Sequence, residues 1–87
     1  MEEKINAINQ LMEQIINDRT VPRNIRNAVQ EAKDNFNDTS LGDLEVRISA
    51  AVSILDEIIN DPNMPMYTRT QVWNVVSLLE SLRAKKK

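Results

Sequence analysis

The chain has 87 residues and a net charge of −2, with 41% hydrophobic and 28% charged residues, one Gly, no Cys and no His. This length and composition indicate one small globular domain and argue against a disordered chain. The lack of Cys excludes disulfides, zinc–thiolate sites, iron–sulfur clusters and thiol catalysis, and the lack of His removes the commonest general base and metal ligand. We therefore predict no cofactor and no metal.

The overall charge and hydropathy argue against a membrane partner. A net charge of −2 provides no general attraction to nucleic acid or to an anionic membrane, so any such contact must come from a local patch. No apolar run approaches the roughly 20 residues that a bilayer requires. The start Met1-Glu2-Glu3-Lys4 lacks the basic and apolar regions of a signal peptide, which predicts a cytoplasmic location.

The first two predicted elements are amphipathic helices. Apolar residues recur at three- and four-residue spacing at Ile5, Ile8, Met12 and Ile15. This pattern predicts a helix over about residues 2–17, which Asn17 would end in a left-handed conformation. Pro22 is suited to the first helical position, so the second helix is predicted from Pro22 to about Phe36. Together they form a hairpin over about residues 2–36.

Residues 37–43 are polar and contain the only Gly, so we predict a linker there and the most flexible connection of the chain. Asp43 is the predicted N-cap of the third helix, and Ser40 is an alternative start. The third helix is predicted over about residues 44–60. It is apolar around much of its circumference, which is typical of a helix that is central in a bundle or shared between subunits.

Pro65 is predicted to begin a fourth helix, so that the second hairpin covers about residues 44–84. Its apolar stripe consists of Val72, Val75, Val76, Leu79 and Leu82. The lysines at 85–87 follow as a basic tail that we predict to be disordered.

The two hairpins are related in sequence. When the chain is shifted by 43 residues against itself, ten of 44 aligned positions are identical, and they include the turn residues Asn17/Asn60, Asp18/Asp61 and Pro22/Pro65. A fixed period indicates an internal repeat, although two hairpins under the same amphipathic constraint can also converge. The period loosely resembles that of HEAT-type repeats, but two units are too few for a free-standing solenoid. We predict an all-α, up-and-down four-helix bundle in a single domain, residues 1–87.

A more specific resemblance covers essentially the whole chain. The segments Val21-Pro22-Arg23-Asn24-Ile25-Arg26 and Ile54-Leu55-Asp56-Glu57-Ile58, with Asn60-Asp61-Pro62-Asn63-Met64-Pro65, Arg69-Thr70 and Trp73-Asn74, resemble a family of small uncharacterised archaeal proteins. The resemblance implies an all-helical, bromodomain-like four-helix bundle and implies no activity. The family often has Pro where this chain has Leu44, which agrees with a helix start at that position.

Turn residues that recur in both hairpins are predicted to have a structural role at the corners. Asn17, Asp18 and Pro22, and equally Asn60, Asp61, Pro65 and Arg69, are predicted to build the two corners. Arg26 and Arg69 are predicted to reach back to Asp18 and Asp61 as charge-assisted latches. Neither the oxygen-rich run at Asn60, Asp61 and Asn63 nor the equivalent pair Glu13 and Asp56 matches a calcium or catalytic pattern.

Two groups of residues differ between the hairpins and are the candidate sites. Arg19, Arg23 and Arg26 cluster at the first corner, where they form either an anion or nucleic-acid contact or an ordinary solvated face. Trp73 is one position off the apolar stripe. With Tyr67 and Met66 it forms either an exposed interaction edge or part of the core.

These features favour a non-enzymatic protein-interaction or structural module, with a protein partner or a homodimer formed through the third helix or the Trp73 edge. The alternative is a nucleic-acid-associated protein that uses Arg19, Arg23 and Arg26 together with the lysine tail.

Overall fold

A computed structural model describes residues 2–85, and the side chains of residues 2–83. The described residues form four α-helices and one short 3₁₀ turn. The helices are α1 (Glu2–Ile16), α2 (Arg23–Asn37), α3 (Leu44–Ile58) and α4 (Met66–Lys85), and the 3₁₀ turn is Thr39–Leu41. The prediction of an all-α chain with four helices is confirmed. Lys86 and Lys87 of the predicted basic tail lie outside the described residues.

The helices form a closed ring. Each helix packs against its neighbours in sequence, and α1 also packs against α4, within an envelope of 36 × 21 × 20 Å. Short connections make sequential helices antiparallel, so both α–α corners lie at one end of the bundle. A hydrogen bond from Asn24 Nδ2 to Asp61 Oδ2 (3.0 Å) joins them. At the other end Lys4 Nζ donates to Ser81 Oγ (2.6 Å) and joins α1 to α4. The bromodomain-like detail stays a prediction.

The core follows the predicted apolar stripes. Phe36 is its largest fully buried side chain, and the other buried members include Ile8, Met12, Ile25, Val29, Ile48, Leu55, Val72, Val75, Leu79 and Leu82. The apolar circumference of α3 is explained by its place between α2 and α4, because Leu44, Ile54, Ile58 and Ile59 all pack against the core. Among the large apolar side chains of α3, Val46 alone is about half exposed. The helix is therefore central in this bundle and leaves little apolar surface for another subunit.

The repeat extends to the pattern of burial. Seven of the eight buried residues in the first 44 positions have a buried counterpart 43 residues later. The pairs are Ile8/Ala51, Met12/Leu55, Val21/Met64, Ile25/Thr68, Val29/Val72, Ala32/Val75 and Phe36/Leu79. The corner hydrogen bonds repeat as well, since the amide of Asp18 donates to Ile15 O and that of Asp61 to Ile58 O (3.2 and 3.0 Å). The two hairpins thus share a burial pattern and part of their corner hydrogen bonding.

Several predicted helix boundaries are wrong by one or two residues. Pro22 has φ −54° and ψ 148°, so it occupies the N-cap position, and α2 begins at Arg23 rather than at Pro22. Pro65 likewise precedes α4, which begins at Met66, and α3 ends at Ile58 rather than Asn60. A Pro at either position leaves no amide unpaired, so the local sequence does not distinguish the N-cap from the first helical residue.

The predicted left-handed conformation of Asn17 is also wrong. Among residues 2–85 no residue other than Gly has a positive φ, and Gly42 adopts φ 140°. The amide of Asn17 instead continues the helical pattern by donating to Glu13 O (3.0 Å), and its side-chain Nδ2 donates to Glu13 Oε2 (3.2 Å). Asn17 therefore adds one more helical hydrogen bond to the last turn of α1 and does not reverse the chain direction in a left-handed conformation.

Side-chain caps organise the predicted linker. Asp38 Oδ1 accepts from the amide of Ser40 (3.0 Å) and caps the 3₁₀ turn, so Ser40 lies inside this turn and does not begin α3. Asp43 Oδ1 accepts from the amide of Val46 (3.1 Å), which confirms Asp43 as the N-cap of α3. Such a cap contributes about 1 kcal/mol because it satisfies an otherwise unpaired helical amide.

Candidate interaction surface

The outer face of α4 carries most of the exposed large apolar side chains. Met66 is 76% exposed, Tyr67 71% and Trp73 56%. The sequence is compatible with Trp73 either in the core or at an interface, and in the structure Trp73 lies on the surface. The reason is rotational, because Thr68, Val72, Val75 and Leu79 point into the bundle and the residue after Val72 is turned about 100° away from it.

This face is also uncharged. From Met66 to Ser77 the exposed residues of α4 are Met66, Tyr67, Thr70, Trp73, Asn74 and Ser77, and none is an acid or a base apart from the weakly acidic phenol of Tyr67. The exposed faces of the other helices differ, since Glu2 and Glu3 lie on α1, Glu31 and Asp34 on α2, and Glu45, Asp56 and Glu57 on α3. A contact to the exposed residues from Met66 to Ser77 therefore desolvates no formally charged side chain, whereas a contact to the exposed faces of the other helices does.

Four of these residues form one stripe along the helix. Met66, Thr70, Trp73 and Ser77 follow each other at spacings of four, three and four residues, which places them on one line of the helix surface. We call them the α4 stripe. Tyr67 lies about 120° around the helix from Trp73 and is off this line. The predicted interaction edge contained Tyr67 beside Trp73 and lacked Thr70 and Ser77, although their heptad spacing opposite the buried residues is visible in the sequence.

The three arginines of the first corner have two different environments. Arg19 and Arg23 are exposed, and neither side chain has a hydrogen bond or an ion pair to the described residues. Arg26 is partly buried, and its Nε donates to Val21 O (2.9 Å). The structure thus leaves two guanidinium groups available at the corner and gives the third a structural contact. The exposed acids Asp56 and Glu57 in the last turn of α3 are at the same end of the bundle and offset part of this positive charge.

The latches predicted between Asp and Arg use a different acceptor. Arg69 Nη2 donates to Asp61 O (3.0 Å), as Arg26 Nε donates to Val21 O, so both guanidinium groups bind backbone carbonyls. The ion pairs among the described side chains are Lys33–Glu13 (3.0 Å) and Arg83–Glu80 (3.3 Å), and neither predicted Asp–Arg pair is among them. The prediction of a carboxylate partner is wrong.

The two aspartates instead close their own turns. Asp18 Oδ1 accepts from the amide (2.9 Å) and the hydroxyl (2.7 Å) of Thr20, and Asp61 Oδ1 accepts from the amide of Asn63 (2.8 Å). The Thr20 hydroxyl, followed by the Thr20 amide, lowers the pKa of Asp18 because both bonds favour its charged form. Each carboxylate therefore accepts a hydrogen bond from the residue two positions along the chain, and the charge of Arg26 lowers the pKa of Asp18 less than these bonds do.

Other candidate chemistry is not assembled on residues 2–85. Glu13, which sequence analysis paired with Asp56, binds Lys33, and that hydrogen bond is the main cause of a lowered pKa for Glu13. Within this range there is no group of three or more acidic, His or Cys side chains placed to hold a metal ion, and no pocket. Nor is any described helix long and apolar enough to span a bilayer.

Comparisons with known proteins agree with this architecture. A family model described as an uncharacterised protein family, UPF0147, matches residues 1–82. A UPF0147 protein of Metallosphaera sedula is 50% identical over 82 residues, which are 94% of this chain and 91% of that protein. A UPF0147 protein of Methanocaldococcus jannaschii is 48% identical over 82 residues, with 94% and 87% coverage.

Two crystal structures have similar folds. One, of the protein of unknown function MMP1188, is 46% identical with a TM-score of 0.87 and covers 91% of this chain and 89% of that one. The other, a UPF0147 protein from Thermoplasma acidophilum, is 33% identical with a TM-score of 0.86, covering 93% and 94%. The fold and its exposed α4 face define a small all-α bundle protein. Within that class the chain belongs to the UPF0147 family, whose relatives here come from archaea.

Proposed function

We propose that this chain is a non-enzymatic interaction module that binds a protein partner through the outer face of α4. The observation that carries the proposal is the exposure of Trp73 and Met66 on a stripe that bears no charge. Trp is enriched among the residues that dominate binding energy, and an uncharged surround lowers the cost of removing water from it.

The location of the aromatic residue strengthens this proposal. Trp73 lies in the middle of a 20-residue helix, so the backbone that carries it is held by the core residues Val72 and Val75. A rigid helix presents a side chain with little loss of conformational entropy on binding. In contrast, Leu41 and Val46, the other large apolar side chains that are exposed among the described residues, lie in and just after the 3₁₀ turn, at the far end of the bundle.

The test compares matched variants of exposed residues. The full chain would be captured from cells that express it, as wild type and as Thr70→Glu, Trp73→Glu and Ser53→Glu, with bound proteins quantified by mass spectrometry. Ser53 is the control, because it is exposed on α3 and receives the same charge. We expect one or more proteins to be enriched at least about tenfold by the wild type and the control and lost from both α4 variants.

Two results would contradict the proposal: equal recovery of every protein by all four chains together with no self-association of the wild type at about 1 mM, or a loss that also occurs with Ser53→Glu. Circular dichroism on each variant shows whether the helical bundle is intact, so a loss of binding is separated from a loss of fold. A partner identified in this way is then purified and titrated against the same four chains.

A second candidate is nucleic-acid binding at the first corner, and the observation that favours it is the exposure of Arg19 and Arg23 without partners among the described side chains. The test is fluorescence anisotropy with single- and double-stranded oligonucleotides over a range of salt concentrations. We expect the double variant Arg19→Gln/Arg23→Gln to weaken binding and to lower the salt slope by about two, while Lys4→Gln at the opposite end has little effect. Binding that is unchanged in the double variant contradicts this candidate.

A further inference from the structure

We propose that the partner of the α4 stripe is a second copy of this chain, packed helix against helix in antiparallel orientation about a two-fold axis that passes between Thr70 and Trp73. This inference rests on the proposed function, because it requires the outer face of α4 to bind protein. It adds the identity of the partner and the register of the contact.

The stripe is complementary in shape to itself in one orientation. Large and small side chains alternate along it, as Met66, Thr70, Trp73 and Ser77. In an antiparallel pair with the axis between Thr70 and Trp73, each Trp73 faces Thr70 of the second copy and each Met66 faces Ser77. Every large side chain then meets a small one, and the symmetry repeats both contacts. A parallel pair would instead place Trp73 against Trp73 and leave Thr70 facing Thr70 across a gap.

Charge permits this pairing and disfavours the alternatives. Because a two-fold interface brings the same surface patch together with itself, a charged group close to the axis meets its own kind. The stripe has no charged group. The flanking Arg69 residues of the two copies lie on the same side of the contact, and each guanidinium is bound to Asp61 O of its own chain. On the outer faces of α1, α2 and α3 the exposed acids would approach each other.

The size of the stripe indicates a weak dimer. From Met66 to Ser77 the helix rises about 17 Å, which is roughly half of the 36 Å length of the bundle. A contact of this length buries well under the roughly 800 Å² per partner of a standard stable interface. We therefore expect a dissociation constant on the order of 0.1 mM, so that the chain is monomeric at micromolar concentration and forms dimers at high concentration.

The first test measures the association itself. Sedimentation equilibrium of the full chain, from about 10 µM to about 1 mM, would be compared for wild type, Trp73→Glu, Thr70→Trp and Ser53→Glu. We expect wild type and Ser53→Glu, which is exposed on α3 and away from the stripe, to associate equally. Trp73→Glu is expected to weaken association at least about tenfold, and Thr70→Trp to weaken it too, because a large residue would then face Trp73.

The second test determines orientation, and it uses the natural absence of Cys. Met66→Cys and Ser77→Cys chains would be treated with a short thiol cross-linker, each alone and as a mixture. The antiparallel register brings position 66 opposite position 77, so the mixed dimer should form in preference to either homodimer. Ser53→Cys, exposed on α3, gives the background from random collisions. Preferred homodimers at position 66 would overturn the antiparallel register.

Failure of this inference is distinguishable from failure of the proposed function. A wild type that stays monomeric at about 1 mM, or a Trp73→Glu chain that associates as well as wild type, overturns the dimer. If a different protein is nevertheless captured through Trp73 under the same conditions, the interaction function stands and only the second copy is excluded as its partner.

Discussion

Replacing Arg69 by Met tests the corner contact that the structure shows in place of an Asp–Arg ion pair. Arg69 Nη2 donates to Asp61 O at 3.0 Å, and the same carbonyl also accepts from the amide of Met64 at 3.1 Å. The substitution removes the guanidinium and keeps most of the aliphatic stem that covers the core. Asp61→Asn is the matched variant, because it neutralises the carboxylate and leaves the backbone carbonyl in place.

The expected magnitude follows from these contacts. A hydrogen bond from a charged donor contributes about 1.5–3 kcal/mol. Two features reduce this figure, since Asp61 O keeps its bond from Met64 and the buried Arg69 Nε has no partner that would be lost. We expect Arg69→Met to lower the free energy of unfolding by about 1–2 kcal/mol, and Asp61→Asn by less than about 1 kcal/mol. For a domain of this size, each kcal/mol lost at the unfolding midpoint lowers Tm by about 4–8 °C.

The assay is urea unfolding of both single variants and the double variant, followed by circular dichroism. Because Arg69 binds a backbone carbonyl, the coupling energy between the two substitutions should be within about 0.5 kcal/mol of zero and insensitive to salt. A coupling above about 1 kcal/mol that disappears in about 1 M salt would refute the carbonyl contact and restore the ion pair.

Three further predictions address the core, the linker and the acidic groups. Phe36→Ala should lower the free energy of unfolding by about 3–5 kcal/mol in the same urea assay, because it empties the largest fully buried site. Gly42→Ala should lower the free energy of unfolding by about 1–2 kcal/mol, since φ is 140° and the new Cβ would lie 3.3 Å from Val46 Cβ. The double variant Gly42→Ala/Val46→Ala should recover only part of this free energy, because the strain in φ remains. Because the pKa of Glu13 is lower in the folded chain than its unfolded value of 4.5, the charged Glu13 stabilises the fold at pH values above 4.5. This stabilisation is lost as the pH falls through the folded pKa. The urea midpoint should therefore drop as the pH falls below about 4.5, and less steeply in Lys33→Met, which lacks the main cause of the lowered pKa. An equally steep profile in Lys33→Met would contradict that assignment.

Helix positions were predictable from the sequence to within two residues because periodicity and capping are local. Successive apolar residues from Ile5 to Ile15 are three or four positions apart, and Asp43 caps the amide of Val46 three positions later, so both signals lie within about one helical turn. The errors also have local causes. Pro22 satisfies either of two adjacent helix positions, and Asn17 can end a helix by side-chain bonding to Glu13 as readily as by a left-handed conformation.

The candidate surface was only partly predictable. Its members Met66 and Trp73 were identified by type, yet their exposure depends on how α4 is rotated against α1 and α3, and the apolar stripe specifies that rotation only approximately for a residue next to it such as Trp73. Thr70 and Ser77 were not predicted as part of this surface, because small polar residues on an outer helix face are common and indicate a contact only when a large apolar neighbour is also exposed. Arg19 and Arg23 stay a prediction as a nucleic-acid contact, and so does the cytoplasmic location.

By itself the sequence determined the elements and their pairing: four amphipathic helices, two related hairpins, and the exclusion of chemistry that requires Cys or His. Short corners and matching apolar stripes leave few ways to bury so much surface, which is why the bundle could be predicted. Only the tertiary structure decided the partners of long side chains. Arg69 can reach several acceptors, and Trp73 can face inward or outward, so their roles depend on which groups the packed helices bring near and which they leave in water.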